Sequence, residues 1–134
     1  HLDKKFLLKA VLEGKNNLKK ISKIVHPIVR NRMNKFLIKN KTKKLVVLDI
    51  PLYLENKLNK RGDVLIFVEA KRKDIQKRLE KRKYFNEKLN RNLKSLQLPL
   101  TKKKKLSNFV IKNTFNATKI KNDVKNIKTE ILNI

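Results

Sequence analysis

Apolar residues recur along the 134-residue chain with two spacings, and each spacing predicts one kind of element. Continuous apolar runs, typical of strands buried on both faces of a parallel sheet, predict strands near 45–50, 63–69 and 109–112. Apolar residues three or four positions apart predict helices at 3–12, 17–25, 27–39, 73–83, 87–96 and 117–131, with shorter helical pieces at 54–58 and from Pro99 onward. Because helices alternate with strands, the pattern indicates an α/β fold with a parallel sheet flanked by helices.

Residues with special backbone preferences mark where these elements begin and end. Gly14 is a natural stop for the first helix, and Pro27 suits the first turn of a new one. Pro51 has no amide hydrogen for a sheet ladder, so the first strand should end just before it. Asn86 and Asn116 are predicted to cap the helices that follow them. Three helices are therefore predicted before the first strand.

The charge balance points to the kind of partner. Lys and Arg number 37 against 11 acidic residues, which gives a formal net charge of +26. A balance this basic favours polyanionic partners such as nucleotides, nucleic acid or an anionic membrane. The lysines are spread over nearly every segment, however, which is typical of solvated faces. A basic nucleic-acid-binding module stays open as an alternative; it predicts exposed stacking aromatics, whereas the aromatics here mostly lie in apolar strands or helix stripes.

Other compositional features exclude several kinds of site. The chain has no cysteine and hence no disulfide framework, thiolate metal site or thiol nucleophile. No apolar stretch approaches the roughly 20 residues that cross a bilayer, and no signal segment is found at the start. We therefore expect a cytoplasmic protein without a membrane partner. The first residue is His1 and not Met, which indicates a fragment or a processed piece.

Asp49 is the first candidate for chemistry, because it would stand at the carboxyl end of a central strand. Open α/β sheets bind ligands at that end, and a carboxylate there can hold magnesium directly or through water. The alternative is a carboxylate that only caps a turn. Arg30, four positions after His26, can fork onto a phosphate. The alternative for His26 is a capping or core role.

Two arginines form a second candidate cluster. Arg78 and Arg82 are four positions apart, so they should share one helix face. Arginines on a basic helix are usually solvated. Phosphoryl transfer, however, needs cations around the migrating group, and the planar donor fork of arginine suits that task. Asn113, which follows the last predicted strand, is either a turn residue or a ligand contact.

Five segments, taken in order, resemble the dephospho-coenzyme A kinase family, and the resemblance covers nearly the whole chain. Residues 26–30 (HPIVR) are similar to its H-P-x-V-R segment, and residues 49–55 (DIPLYLE) are similar to D-x-P-L-L-x-E. Residues 76–82 (QKRLEKR) resemble Q-x-x-R-x-x-x-R with a shifted first Arg. Residues 97–105 (QLPLTKKKK) resemble Q-x-P-x-x-x-K, and residues 107–113 (SNFVIKN) resemble A-D-x-V-I-x-N.

The resemblance implies a P-loop kinase fold of which these residues form the C-terminal two-thirds, with the first strand and the P-loop missing. Its parts would be an acceptor-binding helical part at 1–44, core strands at 45–70, lid-like helices at 71–107, and the last strand with the C-terminal helix at 108–134. The implied reaction moves the γ-phosphoryl of ATP, with Mg²⁺, to the ribose 3′-hydroxyl of dephospho-coenzyme A. This is the last step of coenzyme A biosynthesis.

The resemblance also implies roles for eight residues. Arg82 and Arg78 would be catalytic lid cations; His26, Arg30 and Glu55 would bind the acceptor; Gln76 and Asn113 would bind the nucleotide; and Asp49 would hold the metal, directly or through water.

Three features depart from the family pattern. The chain has just two glycines, Gly14 and Gly62, and therefore no glycine-rich phosphate loop. Lys83 and Tyr84 stand where the family has Asp-Gly, and Asn108 stands where it has Asp. We therefore expect the chain alone to be inactive. Another P-loop nucleoside or nucleotide kinase, and a degenerate, inactive homologue, stay open as alternatives.

Overall fold

The computed structural model describes residues 4–83 and 85–133, so Tyr84 lies outside the described residues. The elements, in order, are α1 (Lys4–Glu13), α2 (Lys15–Lys39), β1 (Ile66–Glu69), α3 (Arg72–Glu80), α4 (Glu87–Lys94), α5 (Leu100–Leu106), β2 (Phe109–Lys112) and α6 (Ala117–Leu132). The chain divides into a first unit, His1–Leu58 with Phe85–Gln97, and a second unit, Asn59–Tyr84 with Leu98–Ile134. Both strands belong to the second unit.

The first unit is helical. Gly14 separates α1 from α2, as predicted, and Asn17 Nδ2 donates a hydrogen bond to the carbonyl oxygen of Ala10 at 2.9 Å across this corner. The helix α1 packs against both α2 and α4. Leu18 and Met33, which lie on α2, are among the buried apolar residues of this unit.

The helix α2 is continuous over 25 residues, so the predicted boundary before Pro27 is wrong. A proline inside a helix costs about 3 kcal/mol, because it lacks an N–H group and crowds the preceding turn. The residues on both sides nevertheless share one inner face, on which Leu18 and Met33 are buried and His26 and Val29 are half-buried. Burial of this face offsets the cost of the proline. His26 therefore lies inside a helix and does not cap one.

Residues 45–50 form no strand, and the strand prediction there is wrong. Their side chains alternate between exposed and half-buried, as in extended backbone with one face toward solvent. Val47 is 76% exposed, whereas a strand inside a parallel sheet is buried on both faces. A strand exists only when a neighbour completes its hydrogen-bond ladder, and the sheet found among the described residues consists of β1 and β2.

The second unit contains the parallel sheet that the sequence predicts. The strands β1 and β2 pair in parallel, with Ile66 opposite Phe109 and Glu69 opposite Lys112. The helix α6 packs against β2, and Ile111 of β2 is buried. A parallel sheet with helices around it confirms the predicted α/β class, and β2 covers the predicted residues 109–112.

Two of the predicted helix caps are confirmed. Asn86 Oδ1 accepts a hydrogen bond from the backbone N–H of Leu89 at 3.0 Å at the start of α4. Asn116 Oδ1 accepts from the backbone N–H of Lys119 at 3.0 Å at the start of α6. Each side chain satisfies a backbone donor that has no partner within its helix. None of the helices in the described ranges combines the length and the apolar content that crossing a membrane requires.

Asn108 fastens the start of one strand to the start of the other. Its Oδ1 accepts a hydrogen bond from the backbone N–H of Leu65 at 2.8 Å, and its own backbone N–H donates to the carbonyl oxygen of Leu65 at 2.8 Å. The family resemblance places Asp at this position. Because either side chain offers an acceptor oxygen, the departure at Asn108 preserves the contact.

We expect Asn108→Ala to lower the free energy of unfolding by about 1 kcal/mol, since it deletes the acceptor for Leu65. Asn108→Asp keeps an acceptor and should stay within about 0.5 kcal/mol of the parent chain. Urea unfolding followed by circular dichroism measures both changes. Asn122→Ala, on the exposed side of α6, is the control for loss of a surface amide. If Asn108→Ala and Asn108→Asp lowered the free energy of unfolding equally, the hydrogen bond from Leu65 to the side chain of residue 108 would not contribute as we expect.

Candidate active site

A pocket of about 420 Å³ lies within the second unit at the carboxyl ends of β1 and β2. It is lined by Glu69, Ala70, Lys71, Asp74, Lys112, Asn113 and Thr114. The end of β1 and the start of α3 contribute the first four residues, and the end of β2 with the following loop contributes the other three. Open α/β sheets bind their ligands at this end of the strands.

Asn113 is fixed at the pocket by hydrogen bonds from both its backbone and its side chain. Its backbone N–H donates to the carbonyl oxygen of Glu69 at 2.7 Å, which continues the ladder beyond the sheet. Its Oδ1 accepts from the backbone N–H of Phe115 at 2.9 Å and closes an Asx turn. Its side-chain NH₂ group has no partner among the described residues and can donate to a ligand. Asn113 is therefore a turn residue whose side-chain N–H donors stay available to a ligand.

Charged side chains line the pocket, and one of them is neutralised by an ion pair. Lys104 Nζ and Glu69 Oε1 form an ion pair at 2.9 Å. The two side chains are 45% and 39% exposed, so the pair contributes only about 0–1 kcal/mol to stability. It does neutralise Glu69, and the remaining charges on the pocket wall are Lys71 and Lys112 against Asp74. The wall is thus weakly positive, which favours an anionic ligand.

Arg78 lies on α3 and stacks on an aromatic ring. Its Cζ lies 4.5 Å from the centroid of the Phe115 ring, within the range of a cation–π contact. Phe115 follows Thr114, the last residue of the pocket wall. The second predicted nucleotide-binding residue, Gln76, donates from Nε2 to Glu80 Oε1 at 2.9 Å on the exposed side of the same helix.

Arg82 lies beyond the end of α3, so the prediction that it shares a helix face with Arg78 is wrong. The helix ends at Glu80, and the backbone N–H of Arg82 donates to the carbonyl oxygen of Leu79 at 3.0 Å in the turn that follows. The apolar side of the helix is short, because Leu79 is its last apolar residue. The Arg82 side chain is exposed, and no carboxylate in the described ranges pairs with it.

The acceptor-side candidates lie in the first unit, where α2 meets a compact set of turns. Residues 51–57 form hydrogen-bonded turns in place of the short helix predicted at 54–58. Leu52 and Lys57 have positive φ values of 58° and 50°, which a right-handed helix cannot contain. Leu58 follows and is buried, so it anchors the end of this segment.

Arg30 links the helix to these turns. Its Nη2 donates to the carbonyl oxygen of Asn56 at 3.5 Å, a long and exposed contact. Asn56 is itself fixed, because its Nδ2 and its backbone N–H both donate to the carbonyl oxygen of Leu52, at 2.9 Å and 3.0 Å. The structure thus places the segment of Glu55 beside the helix that carries His26 and Arg30. The other donors of the guanidinium fork stay available for an anion.

Asp49 belongs to the first unit. It is exposed in the extended segment 45–50, so it does not end a strand. Across residues 4–83 and 85–133, no three or more His, Cys, Asp or Glu side chains come together as a metal site. One carboxylate is still compatible with magnesium, which keeps most of its waters and takes further oxygens from substrate phosphates.

Sequence reasoning missed several residues of the pocket. Glu69 and Lys112 end β1 and β2, and the rule that singled out Asp49 would have found them if applied to every strand end. Phe115 gave no such signal, because its contact with Arg78 joins residues that are far apart in the sequence.

Comparison with known proteins decides the family. The family model described as dephospho-CoA kinase matches residues 1–119. The chain belongs to the dephospho-CoA kinase family. This confirms the resemblance that the five segments indicated, and the match extends over both units of the structure.

Individual members of the dephospho-CoA kinase family show the same relationship. The dephospho-CoA kinase of Wolbachia sp. subsp. Brugia malayi (strain TRS) is 34% identical over 128 residues, which cover 94% of this chain and 65% of the relative. That of Bacillus cereus (strain ATCC 10987 / NRS 248) is 36% identical over 114 residues, 84% of this chain and 57% of the relative. That of Bartonella quintana (strain Toulouse) is 34% identical over 107 residues, 78% and 55%. The chain thus spans at most 65% of the length of these curated relatives.

Proposed function

We propose that this chain forms the acceptor-binding and lid-bearing part of a cytoplasmic dephospho-coenzyme A kinase. The enzyme would transfer the γ-phosphoryl of ATP to the ribose 3′-hydroxyl of dephospho-coenzyme A, the last step of coenzyme A biosynthesis. The family match over residues 1–119 carries the proposal. Two features support it. The second unit has a weakly positive pocket at the carboxyl ends of its parallel strands, and in the helical first unit Arg30 contacts the hydrogen-bonded turns at Asn56.

We assign the nucleotide to the second unit. Asn113 offers free amide donors at the pocket, and Gln76 lies on the helix that begins beside it. Arg78 and Arg82 act as the cations of the lid. The transferred phosphoryl group spreads negative charge over its equatorial oxygens in the transition state, and the arginine fork stabilises that charge through paired N–H donors.

We assign the acceptor to the first unit. Arg30 has unused guanidinium donors for a phosphate of dephospho-coenzyme A, and Glu55 lies in the neighbouring turns. His26, one turn before Arg30 on α2, is half-buried and borders the same surface. Its position on the inner face limits its movement, which suits a residue that orients a bound group.

Magnesium is the expected cofactor, and Asp49 is the residue that we assign to hold it through water. When bound, Mg²⁺ neutralises charge on the phosphates of ATP. These 134 residues contain no glycine-rich loop to cradle the phosphates. In the family that the chain resembles, the base for the acceptor hydroxyl follows that loop. We therefore assign both to residues outside this sequence.

The acceptor assignment predicts that Arg30→Ala weakens binding of dephospho-coenzyme A by about 10-fold, because a charge-assisted hydrogen bond is lost. Isothermal titration calorimetry on the 134-residue chain measures the affinity. Arg32→Ala is the matched control, since Arg32 is exposed on the same helix but points about 200° away around its axis. Equal losses for the two variants would reduce the role of Arg30 to general charge and contradict the assignment.

A further inference from the structure

We infer that Phe115 is a positioning residue whose ring orients the guanidinium of Arg78 for binding a polyphosphate at the pocket. The contact is direct, with Arg78 Cζ 4.5 Å from the ring centroid. The inference deepens the proposed function and rests on it only for the identity of the polyphosphate as ATP. Both residues belong to the second unit, as does the whole pocket wall.

The backbone of Phe115 is held in a conformation that aromatic residues rarely adopt. Its φ is +59°, in the left-handed region where a bulky side chain is strained. Such residues persist when their surroundings fix them, and they concentrate at functional sites. Here the fixing group is Asn113, whose Oδ1 accepts from the Phe115 N–H at 2.9 Å. The residue between them, Thr114, lines the pocket, so the turn that strains Phe115 also forms the pocket wall.

Stacking orients Arg78 without occupying its hydrogen-bond donors. A guanidinium meets an aromatic ring through its flat face, whereas its five N–H groups point outward in its own plane. Arg78 is exposed, and no carboxylate in the described part of the chain pairs with it. Lys104 differs, because its ammonium group already forms an ion pair with Glu69. Arg78 is therefore a cation with a fixed orientation and free donors.

A fixed orientation affects affinity through entropy. An unrestrained arginine loses rotamer freedom when it binds a phosphate, and the ring has already removed part of that freedom. The contact also keeps the charge near the pocket, because Phe115 follows Thr114 of the pocket wall and Arg78 lies one turn after Asp74 of that wall on α3. An exposed cation–π contact of typical strength corresponds to about a 2–5-fold change in affinity.

The test uses the 134-residue chain and inorganic tripolyphosphate as the probe, titrated by calorimetry at low salt. Phe115→Leu removes the ring but keeps the backbone strain, so it should weaken binding by about 2–5-fold. Phe115→Tyr keeps a stacking face and should stay within about 2-fold of the parent. In the Arg78→Ala background, Phe115→Leu should have no further effect, because the residue that it positions is gone.

The inference is overturned if Phe115→Leu leaves the affinity unchanged, or lowers it equally with and without Arg78. A second measurement needs no folded leucine variant: the side-chain NMR signals of Arg78 should show a ring-current shift in the parent chain and in Phe115→Tyr. Its absence from the parent would also overturn the inference. Tripolyphosphate binding requires no phosphoryl transfer, so coupling between Phe115 and Arg78 is tested independently of the kinase function. If an enzyme that joins this chain to a strand and glycine-rich loop of its family failed to phosphorylate dephospho-coenzyme A, that failure would contradict only the proposed function.

Discussion

Arg82→Ala should lower kcat for phosphorylation of dephospho-coenzyme A by about 100-fold or more, in an enzyme that joins this chain to a strand and glycine-rich loop of its family. The side chain follows α3, is exposed, and has no carboxylate partner among the described residues. An exposed, unpaired guanidinium can interact with negative charge that develops on the phosphoryl group only in the transition state. Its loss should therefore reduce kcat more than it raises KM.

Two further variants define what Arg82 contributes. Arg82→Lys should restore only part of kcat, because an ammonium group carries the charge without the planar fork. Lys81→Ala removes a neighbouring exposed cation from the same turn and should change kcat by less than about 2-fold. Steady-state kinetics over a range of dephospho-coenzyme A concentrations, at saturating ATP, gives kcat and KM for Arg82→Ala, Arg82→Lys and Lys81→Ala. An unchanged kcat in Arg82→Ala would remove this residue from the mechanism.

Local signals in the sequence predicted the elements that local interactions determine. Asn86 and Asn116 cap helices as expected, because a cap depends on residues three positions away. The strand at 109–112 is also correct, because it finds a parallel partner in β1. In both cases the groups that complete the structure are present within the described residues.

The failures arise where distant partners or competing energies decide the structure. The run at 45–50 has the composition of a strand but no neighbour to complete its ladder. Pro27 stays inside α2 because a long inner face outweighs its local cost. Arg82 falls outside α3 because helix ends depend on where the apolar face stops, which spacing alone defines poorly.

The candidate site was predictable in part for the same reasons. Asn113 could be found because it follows a strand, and the structure does place it on the pocket wall. The ring of Phe115 could not be found, because its role depends on a tertiary contact and on a left-handed backbone that sequence patterns do not predict for phenylalanine. The assigned roles of the site residues stay predictions that the kinetic and binding variants test.

The 134-residue chain alone should phosphorylate no dephospho-coenzyme A, whereas joining it to a family strand, glycine-rich loop and acceptor-side Asp should produce turnover. In P-loop kinases the amides and lysine of that loop hold the β- and γ-phosphates. Without them, the cations of this chain give only screened attraction. ATP should therefore bind the chain weakly, and its affinity should fall steeply with salt. Micromolar ATP binding that is indifferent to salt would contradict this prediction, because the pocket and Arg78 would then hold the phosphates tightly without the loop.

The most direct test of the proposed function is the position of the phosphate in the product of the joined enzyme. Dephospho-coenzyme A, ATP and magnesium are incubated with it, and the product is identified by phosphorus NMR and mass spectrometry. The expected product carries one new phosphate on the ribose 3′ oxygen, and the Arg82→Ala enzyme forms it about 100-fold more slowly. Phosphorylation of nucleosides or nucleoside monophosphates in preference to dephospho-coenzyme A, or no transfer at all by a folded joined enzyme, would contradict the proposed function.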